Sequence, residues 1–284
     1  LIFVLKRKGP DPVRWSLTPF AASSADVPKL DKPSLPKGPL LDAFGQYTLR
    51  DWPSKTRSEV ELTGRIQRQA AAARSIEWPE TFSRWGGWKS LRFGDGSGFF
   101  RTRHDGKRWW LVDPDGYAFW SAGLDCVRVD TDARYDGIAA ALAWKPDPKG
   151  QYAAAYRDVR GEGRTINYLA ANLIRSFGRD EWRARWAAIA LAEMKRLRFN
   201  TVGNWSDWEI ARAARFPYVR PMAFTGRRCG LIYRDFPDVF HPEFSRDAAE
   251  YAAQLKSTAD DPAFIGYFLM NEPTWGFSSE TPAA

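Results

Sequence analysis

The sequence predicts an α/β fold made of parallel strand–helix units, and three observations carry that expectation. From about residue 160 onward, short apolar runs alternate with stretches whose apolar residues recur at helical spacing. Those short runs are apolar throughout rather than alternating, as strands covered on both faces are. Polar residues gather just after the runs, at Asp125, Asn204 and Trp205, and Asn271 and Glu272, where parallel folds place their sites. Such units build either an open doubly wound sheet or a (β/α)8 TIM barrel. What separates the two is a phosphate loop, and none is present. Gly94-Asp95-Gly96-Ser97-Gly98 precedes a strand, whereas a dinucleotide fingerprint must open a helix.

Residues 1–27 contain one short apolar run and read as the end of a preceding β domain, the remnant of a β-sandwich. A Pro/Ser/Lys stretch from Pro28 to Pro39 opens a linker and entry segment spanning 28–57. The barrel domain is expected over 58–284. It opens on a helix from about Ser58 to Ala73, with Ser58 as N-cap. Residues 99–116 form a β-hairpin: Phe99 to Arg103, a turn at His104 to Lys107, Arg108 to Val112, then Asp113-Pro114-Asp115-Gly116 with Pro and Gly at turn positions. Tyr117 to Val129 reads as another strand.

The repeating units follow. Ile166, Leu169, Ala170, Leu173, Ile174 and Phe177 make one helical stripe stopped by Gly178, and Trp186, Ala190, Met194 and Leu197 make a second. Phe199 to Trp205 is a short strand. Ser206-Asp207-Trp208-Glu209 has the spacing of a capping box. Tyr218 to Phe224 is a third strand, and Ser245 caps a helix with Ala248, Tyr251, Ala252 and Leu255 on one face. Asp260-Asp261-Pro262 ends that helix, and Phe264 to Met270 is the fourth strand.

Composition narrows the function. The chain has 284 residues and is 44% hydrophobic, as a globular core requires, and no window approaches a membrane span. Leu1 to Leu5 is too short for a signal-peptide core, and with no initiator Met the chain is expected to begin inside a longer protein. Cys126 and Cys229 make no disulfide framework and read as two small buried residues. With His104 and His241 the only histidines, no metal or cofactor is expected. The net charge of +8 comes from basic residues scattered among acids, which argues against nucleic acid as partner. Asp130 and Asp132 with Asp136-Gly137 suggest a calcium loop, but Arg134 stands at a ligand position and no Glu closes it, so a solvated loop is expected. Fourteen Trp supply flat faces suited to sugar rings as well as to a core.

The fourth strand carries the chemistry. An apolar run ends in Asn271, Glu272 and Pro273, with Trp275 three residues beyond the acid. A carboxyl group at an apolar barrel mouth is partly desolvated, which favours its neutral form. A raised pKa is what a general acid needs to protonate a leaving glycosidic oxygen. Asn271 can donate to a sugar hydroxyl, and Trp275 can stack on a ring.

A fourth barrel strand ending in Asn-Glu resembles the acid/base signature of the clan A glycoside hydrolases. Asp42-Ala43-Phe44-Gly45-Gln46-Tyr47 with Trp52-Pro53-Ser54-Lys55 is similar to the β-agarases of glycoside hydrolase family 50. So are Trp109 to Gly116 and Phe199 to Asp207. The resemblance spans roughly residues 38 to 277. It implies a retaining enzyme acting on agarose or a related galactan with two glutamates about 5–5.5 Å apart, Glu272 being the acid/base. It implies that the nucleophile lies on a seventh strand, beyond this chain, so that these residues alone are inactive. It places Asn204, Trp205 and Asp207 near the substrate polysaccharide or oligosaccharide, with Asp125 and His241 as further cleft residues. It also implies a secreted, periplasmic or cell-surface address. Another clan A activity, such as a β-galactosidase or endoglycanase, and a non-catalytic carbohydrate-binding protein are the alternatives. Oligomeric state is not legible.

Overall fold

Ser58 starts the first element as expected. In the computed structural model, which describes residues 38–159, 163–233 and 236–271, its side chain accepts the Glu61 N–H and caps helix α1 (Glu59–Ala73). All described residues belong to the unit Gly38–Ala284. An antiparallel meander follows: β1 (Trp88–Arg92), β2 (Arg101–His104), β3 (Trp109–Val112) and β4 (Tyr117–Phe119), ordered β1-β4-β3-β2. Both expected turns are built on aspartates. Asp105 accepts the N–H groups of Lys107 and Arg108 at 2.8 Å each and the Trp110 indole N–H at 2.7 Å. Asp113, fully buried, accepts the N–H groups of Asp115 and Tyr117, while Ser83 donates to its other oxygen at 2.5 Å. Strand β1 was not anticipated, because Trp88 to Arg92 carries no clear alternation.

The expected strand from Tyr117 to Val129 divides into β4 and β5 (Gly123–Leu124). The break is bridged by Asn200, whose side chain accepts from Ala122 N–H and donates to the Trp120 and Gly86 carbonyls. Next come β6 (Asp132–Arg134), β7 (Tyr156–Val159) and β8 (Gly163–Asn167), an antiparallel sheet ordered β6-β8-β7. The solvated loop expected around Asp132 is therefore in part a strand, and Asp132 accepts from Asn167 and Thr165. Ile166 belongs to β8 rather than to the helical stripe, because Asn167 caps the helix after it.

Helix α2 (Tyr168–Arg196) is broken at Gly178, whose φ of 80° and ψ of 172° are non-helical, so the glycine separates two helical stretches as its position implied. Then come β9 (Thr201–Val202), α3 (Trp208–Ala213), β10 (Tyr218–Pro221), a small hairpin β11 (Leu231–Tyr233) and β12 (Phe236–Pro237), α4 (Phe244–Ala253) and β13 (Phe264–Phe268). Strands β5, β9, β10 and β13 pair in parallel, in that spatial order. The fold is thus mixed α/β, with four sequential parallel strands and helices between them. Val202, Tyr218 and Ala263 are fully buried beneath Leu191, Met194, Ala211, Phe216 and Trp85. A side chain such as Val202 contributes about 1.5–3 kcal/mol through such burial.

Two cap assignments differ from expectation. Ser206 does not cap α3; the N-cap position is Asp207, without a side-chain bond. The Ser206 hydroxyl is already used by the N–H of Val127. Ser245 lies inside the first turn of α4, and the buried side of that helix is marked by Asp247, with Ala252 exposed. Of the two cysteines, both unpaired, Cys229 is buried and Cys126 is exposed.

Candidate functional site

Parallel pairing brings the C-terminal ends of β5, β9, β10 and β13 to one edge of the sheet. The register sets Leu124 beside Val202, Val202 beside Tyr218, and Pro221 beside Phe268. The segments that leave this edge carry Asp125, then Asn204 and Trp205, then Met222, then Asn271.

The first two segments are fastened to each other. Gly203 donates to the Leu124 carbonyl at 2.8 Å, continuing the strand pairing. Asp125 Oδ1 then accepts the Asn204 N–H at 2.7 Å, and Cys126 N–H returns a bond to the Asn204 carbonyl at 2.9 Å. Val127 N–H donates to Ser206 Oγ at 2.9 Å, and Asp207 N–H donates to the Val127 carbonyl at 3.0 Å. Gly203 is required here: a Cβ on it would lie 2.1 Å from Asp125 Oδ1.

Backbone strain is concentrated at the same place. Four described non-glycine residues have positive φ: Cys126 (58°), Arg198 (65°), Trp205 (54°) and Arg215 (52°). Arg198 and Arg215 each follow a helix C-cap residue, Leu197 and Ala214, where the left-handed conformation is routine. Cys126 and Trp205 follow strand ends instead, and each costs about 1–2 kcal/mol. Residues held this way cluster at functional sites. The result is an indole 42% exposed at the sheet edge, beside an Asn204 that is only 2% exposed. Asn204 Oδ1 has no hydrogen-bond partner among the described residues.

The other candidates are placed differently. The Asp207 carboxylate pairs with Arg183 at 2.9 Å, fixing the start of α3 to α2. His241 lies in the segment before α4, where its Nδ1 accepts the Glu243 N–H at 3.1 Å; no bond joins it to Asp125 or Asn204. Asn271 is exposed directly beyond β13, after Phe268, Leu269 and Met270, all likewise exposed. Glu272 and Trp275 lie outside the described residues. Sequence reasoning overlooked Cys126, Ser206 and Arg183. Ser206 was legible only as a cap, since a hydroxyl's tertiary partner leaves no mark on spacing.

Among the described residues no group of three or more His, Cys, Asp or Glu side chains is arranged to hold a metal ion. No helix among them is long and apolar enough to cross a membrane. A depression lined by Trp78, Trp85, Phe216 and Pro217 lies at the opposite, N-terminal edge of the parallel strands.

No family model matches the chain. Its homologues are β-agarases. It is 26% identical over 284 residues to beta-agarase B of Vibrio sp. (strain JT0107), covering 88% of this chain and 30% of that protein. To beta-agarase A of the same organism it is 27% identical over 266 residues, covering 84% and 26%. The chain thus spans under a third of the relatives it matches. Among solved structures it is similar to an agarase, AgWH50C, with a TM-score of 0.73, 28% identity, and coverage of 85% of this chain and 40% of that one. PfGH50B matches with a TM-score of 0.73 and 28% identity over 84% and 38% of the two chains. An exo-beta-agarase shares the fold at a TM-score of 0.71 and 23% identity.

Proposed function

We propose that the chain is the N-terminal half of a (β/α)8 barrel glycoside hydrolase that cleaves β-linked galactan of the agarose type. The observation that carries this reading is the sequential parallel order β5-β9-β10-β13, with Asp125, Asn204, Trp205 and Asn271 following the C-terminal ends of its strands. That is the edge at which barrel enzymes build their sites. Similarity to β-agarases over 84–88% of the chain supports the substrate class.

In this reading Glu272 is the general acid/base. Its proton passes to the glycosidic oxygen as the bond between that oxygen and the anomeric carbon breaks. A second carboxylate, from outside these 284 residues, forms a covalent bond to the anomeric carbon. Water then attacks that carbon, with Glu272 taking its proton, and the covalent bond to the enzyme breaks with net retention. Trp205 offers its exposed indole to a sugar face, with Asn204, Asn271 and Trp275 as further substrate-binding residues. A substrate too large to enter a cell places the enzyme in the periplasm, at the surface or outside. In this reading the carboxylate that partners Glu272 at about 5–5.5 Å is not among these residues, so the 284 residues alone are expected to be inactive.

The test is hydrolysis by the complete protein offered agarose, carrageenan, porphyran and aryl galactosides, with and without Glu272→Gln. Agarose is the expected substrate. The variant should lose about 10²–10⁴-fold on unactivated sugars and less on aryl leaving groups, which depart without protonation. Equal rates for variant and parent would remove Glu272 from the role, and preference for another polymer would reassign the substrate.

A further inference from the structure

We infer that Asp125 is a positioning residue, and that its function is to hold the left-handed turn at Trp205 in which the indole faces the sugar cleft. The inference rests on the reading of Trp205 as a sugar platform.

The argument begins from what Asp125 touches. A carboxylate exposed at a strand end is ordinarily assigned to substrate. Here Oδ1 is occupied by the Asn204 N–H at 2.7 Å, one residue before Trp205. Gly203 is the only residue type that leaves room for that carboxylate, since any Cβ would displace it. The Asn204 carbonyl is held from the same side by Cys126 N–H. Both peptide groups flanking Asn204 are therefore fixed by the segment after β5, and the residue they deliver is Trp205, at φ 54°. Tryptophan has no intrinsic preference for that region, so the conformation must be imposed by its surroundings. The partner strand imposes it through Asp125 and, on the far side of the turn, through Ser206 and Val127. A flat ring stacks well only when its orientation is fixed before the sugar arrives, and pre-ordering the ring lowers the cost of binding.

The role predicts a specific chemistry. The work requires an acceptor oxygen at 125 rather than a negative charge, so asparagine should replace aspartate and alanine should not. It also predicts that Asp125 and Trp205 act on one interaction, so their effects do not add.

The experiment compares Asp125→Ala, Asp125→Asn, Trp205→Ala and the double variant Asp125→Ala/Trp205→Ala in the complete protein. It reads kcat and KM on a neutral agaro-oligosaccharide, and amide hydrogen exchange across residues 203–207. Trp205→Ala and Asp125→Ala should each raise KM roughly two- to ten-fold with kcat retained, the range of one aromatic contact. The double variant should match Trp205→Ala, and Asp125→Asn should restore KM. Exchange should accelerate in Asp125→Ala and return to the parent rate in Asp125→Asn. The inference is overturned if the two losses multiply, if Asp125→Asn is as impaired as alanine, or if Asp125→Ala lowers kcat at unchanged KM. A parent that neither binds nor cleaves the oligosaccharide would instead overturn the proposed function, and the inference with it.

Discussion

The Asp247 carboxylate accepts the backbone N–H groups of both Arg228 and Cys229 at 2.9 Å, and the Arg228 guanidinium closes on its other oxygen at 2.6 Å. One buried acid on α4 thereby pins the long segment that joins β10 to that helix. The Cys229 N–H, with the Arg228 amide and guanidinium, holds this carboxyl well below its ordinary value of 3.8, against the opposing effect of burial. A depressed carboxylate contributes stability above its unfolded pKa and loses it as pH falls toward the folded value. The clip should therefore be intact between about pH 5 and 8 and loosen only below about pH 4. Asp247→Asn keeps the size, but with its amide oxygen accepting both N–H groups its NH2 group is set against the Arg228 guanidinium. Cys229, buried with its thiol pKa raised by that burial, reports on opening. Alkylation followed by mass spectrometry should label Cys126 at once in both proteins, and Cys229 several-fold faster in the variant at pH 7. Equal labelling of Cys229 would show that Asp247 does not hold the segment.

Two glycines should respond to alanine with opposite signs. Gly178 breaks α2 at φ 80°, ψ 172°, with nothing within 4 Å of an added Cβ, so the whole cost of Gly178→Ala is backbone strain. That strain is about 1–3 kcal/mol, or roughly 2–4 °C of Tm per kcal/mol. Gly64 lies in the middle of α1, where an added Cβ meets only the mobile tip of Arg68 at 3.3 Å. Gly64→Ala should stabilise by about 0.5–1 kcal/mol. Thermal denaturation of the two variants checks both signs at once.

These cases mark what was legible in the chain. The Gly178 break, the Ser58 cap and the Asp113-Pro114-Asp115-Gly116 turn are local events, decided by residues within a few positions of one another, and spacing reveals them. Three of the four parallel strands, β9, β10 and β13, were legible because each lies in a short apolar run beside helical periodicity; β5, only Gly123–Leu124, was hidden inside an expected strand from Tyr117 to Val129. The sheet β6-β8-β7 was not. Asp132–Arg134 is three residues long and polar, and its pairing with β8 is set by contacts more than thirty positions away. The same limit hid the site. Asn204 was readable as a strand-end amide, but the Asp125 bond that fixes it spans 79 positions, and nothing in either local sequence distinguishes that bond from solvent.

Asp207 allows its two possible roles to be separated. Its ion pair with Arg183 is partly exposed, with side chains 57% and 31% accessible. Pairs of that kind contribute about 0–1 kcal/mol. Asp207→Ala should therefore shift Tm by no more than about 4 °C. If agaro-oligosaccharide affinity falls by more than roughly five-fold, which one pair of this strength cannot explain, Asp207 contacts sugar directly. If affinity follows stability, the residue serves only to fasten α3 to α2. A calorimetric titration beside a melting curve decides between them.

The entry segment makes the last case. Arg175 on α2 lies over two aromatic faces, 3.9 Å from the Trp144 centroid and 5.3 Å from that of Phe44, and donates to the Ala43 carbonyl at 2.7 Å. The neighbouring Asn172 donates to the Phe44 carbonyl at 3.0 Å. Gly45 completes the fit, since a Cβ there would come within 2.5 Å of Tyr168. The stretch Asp42 to Gln46 is thus moulded onto the first half of α2 by backbone acceptors and a sandwiched guanidinium. Lysine cannot replace arginine at such a site, because a point charge neither stacks between two rings nor donates along a plane. Arg175→Lys should lower stability by about 1–2 kcal/mol, because an ammonium at best keeps one ring contact and loses the planar stacking and donation. It should also expose residues 38–57 to limited proteolysis while the helices behind them persist by circular dichroism. Arg175→Met keeps an unbranched apolar stem without the charge, and it should behave no better than lysine if planar donation and stacking are what matter. Full protection of the segment in both variants would show that Arg175 merely lies across a contact made by Asn172 and Gly45.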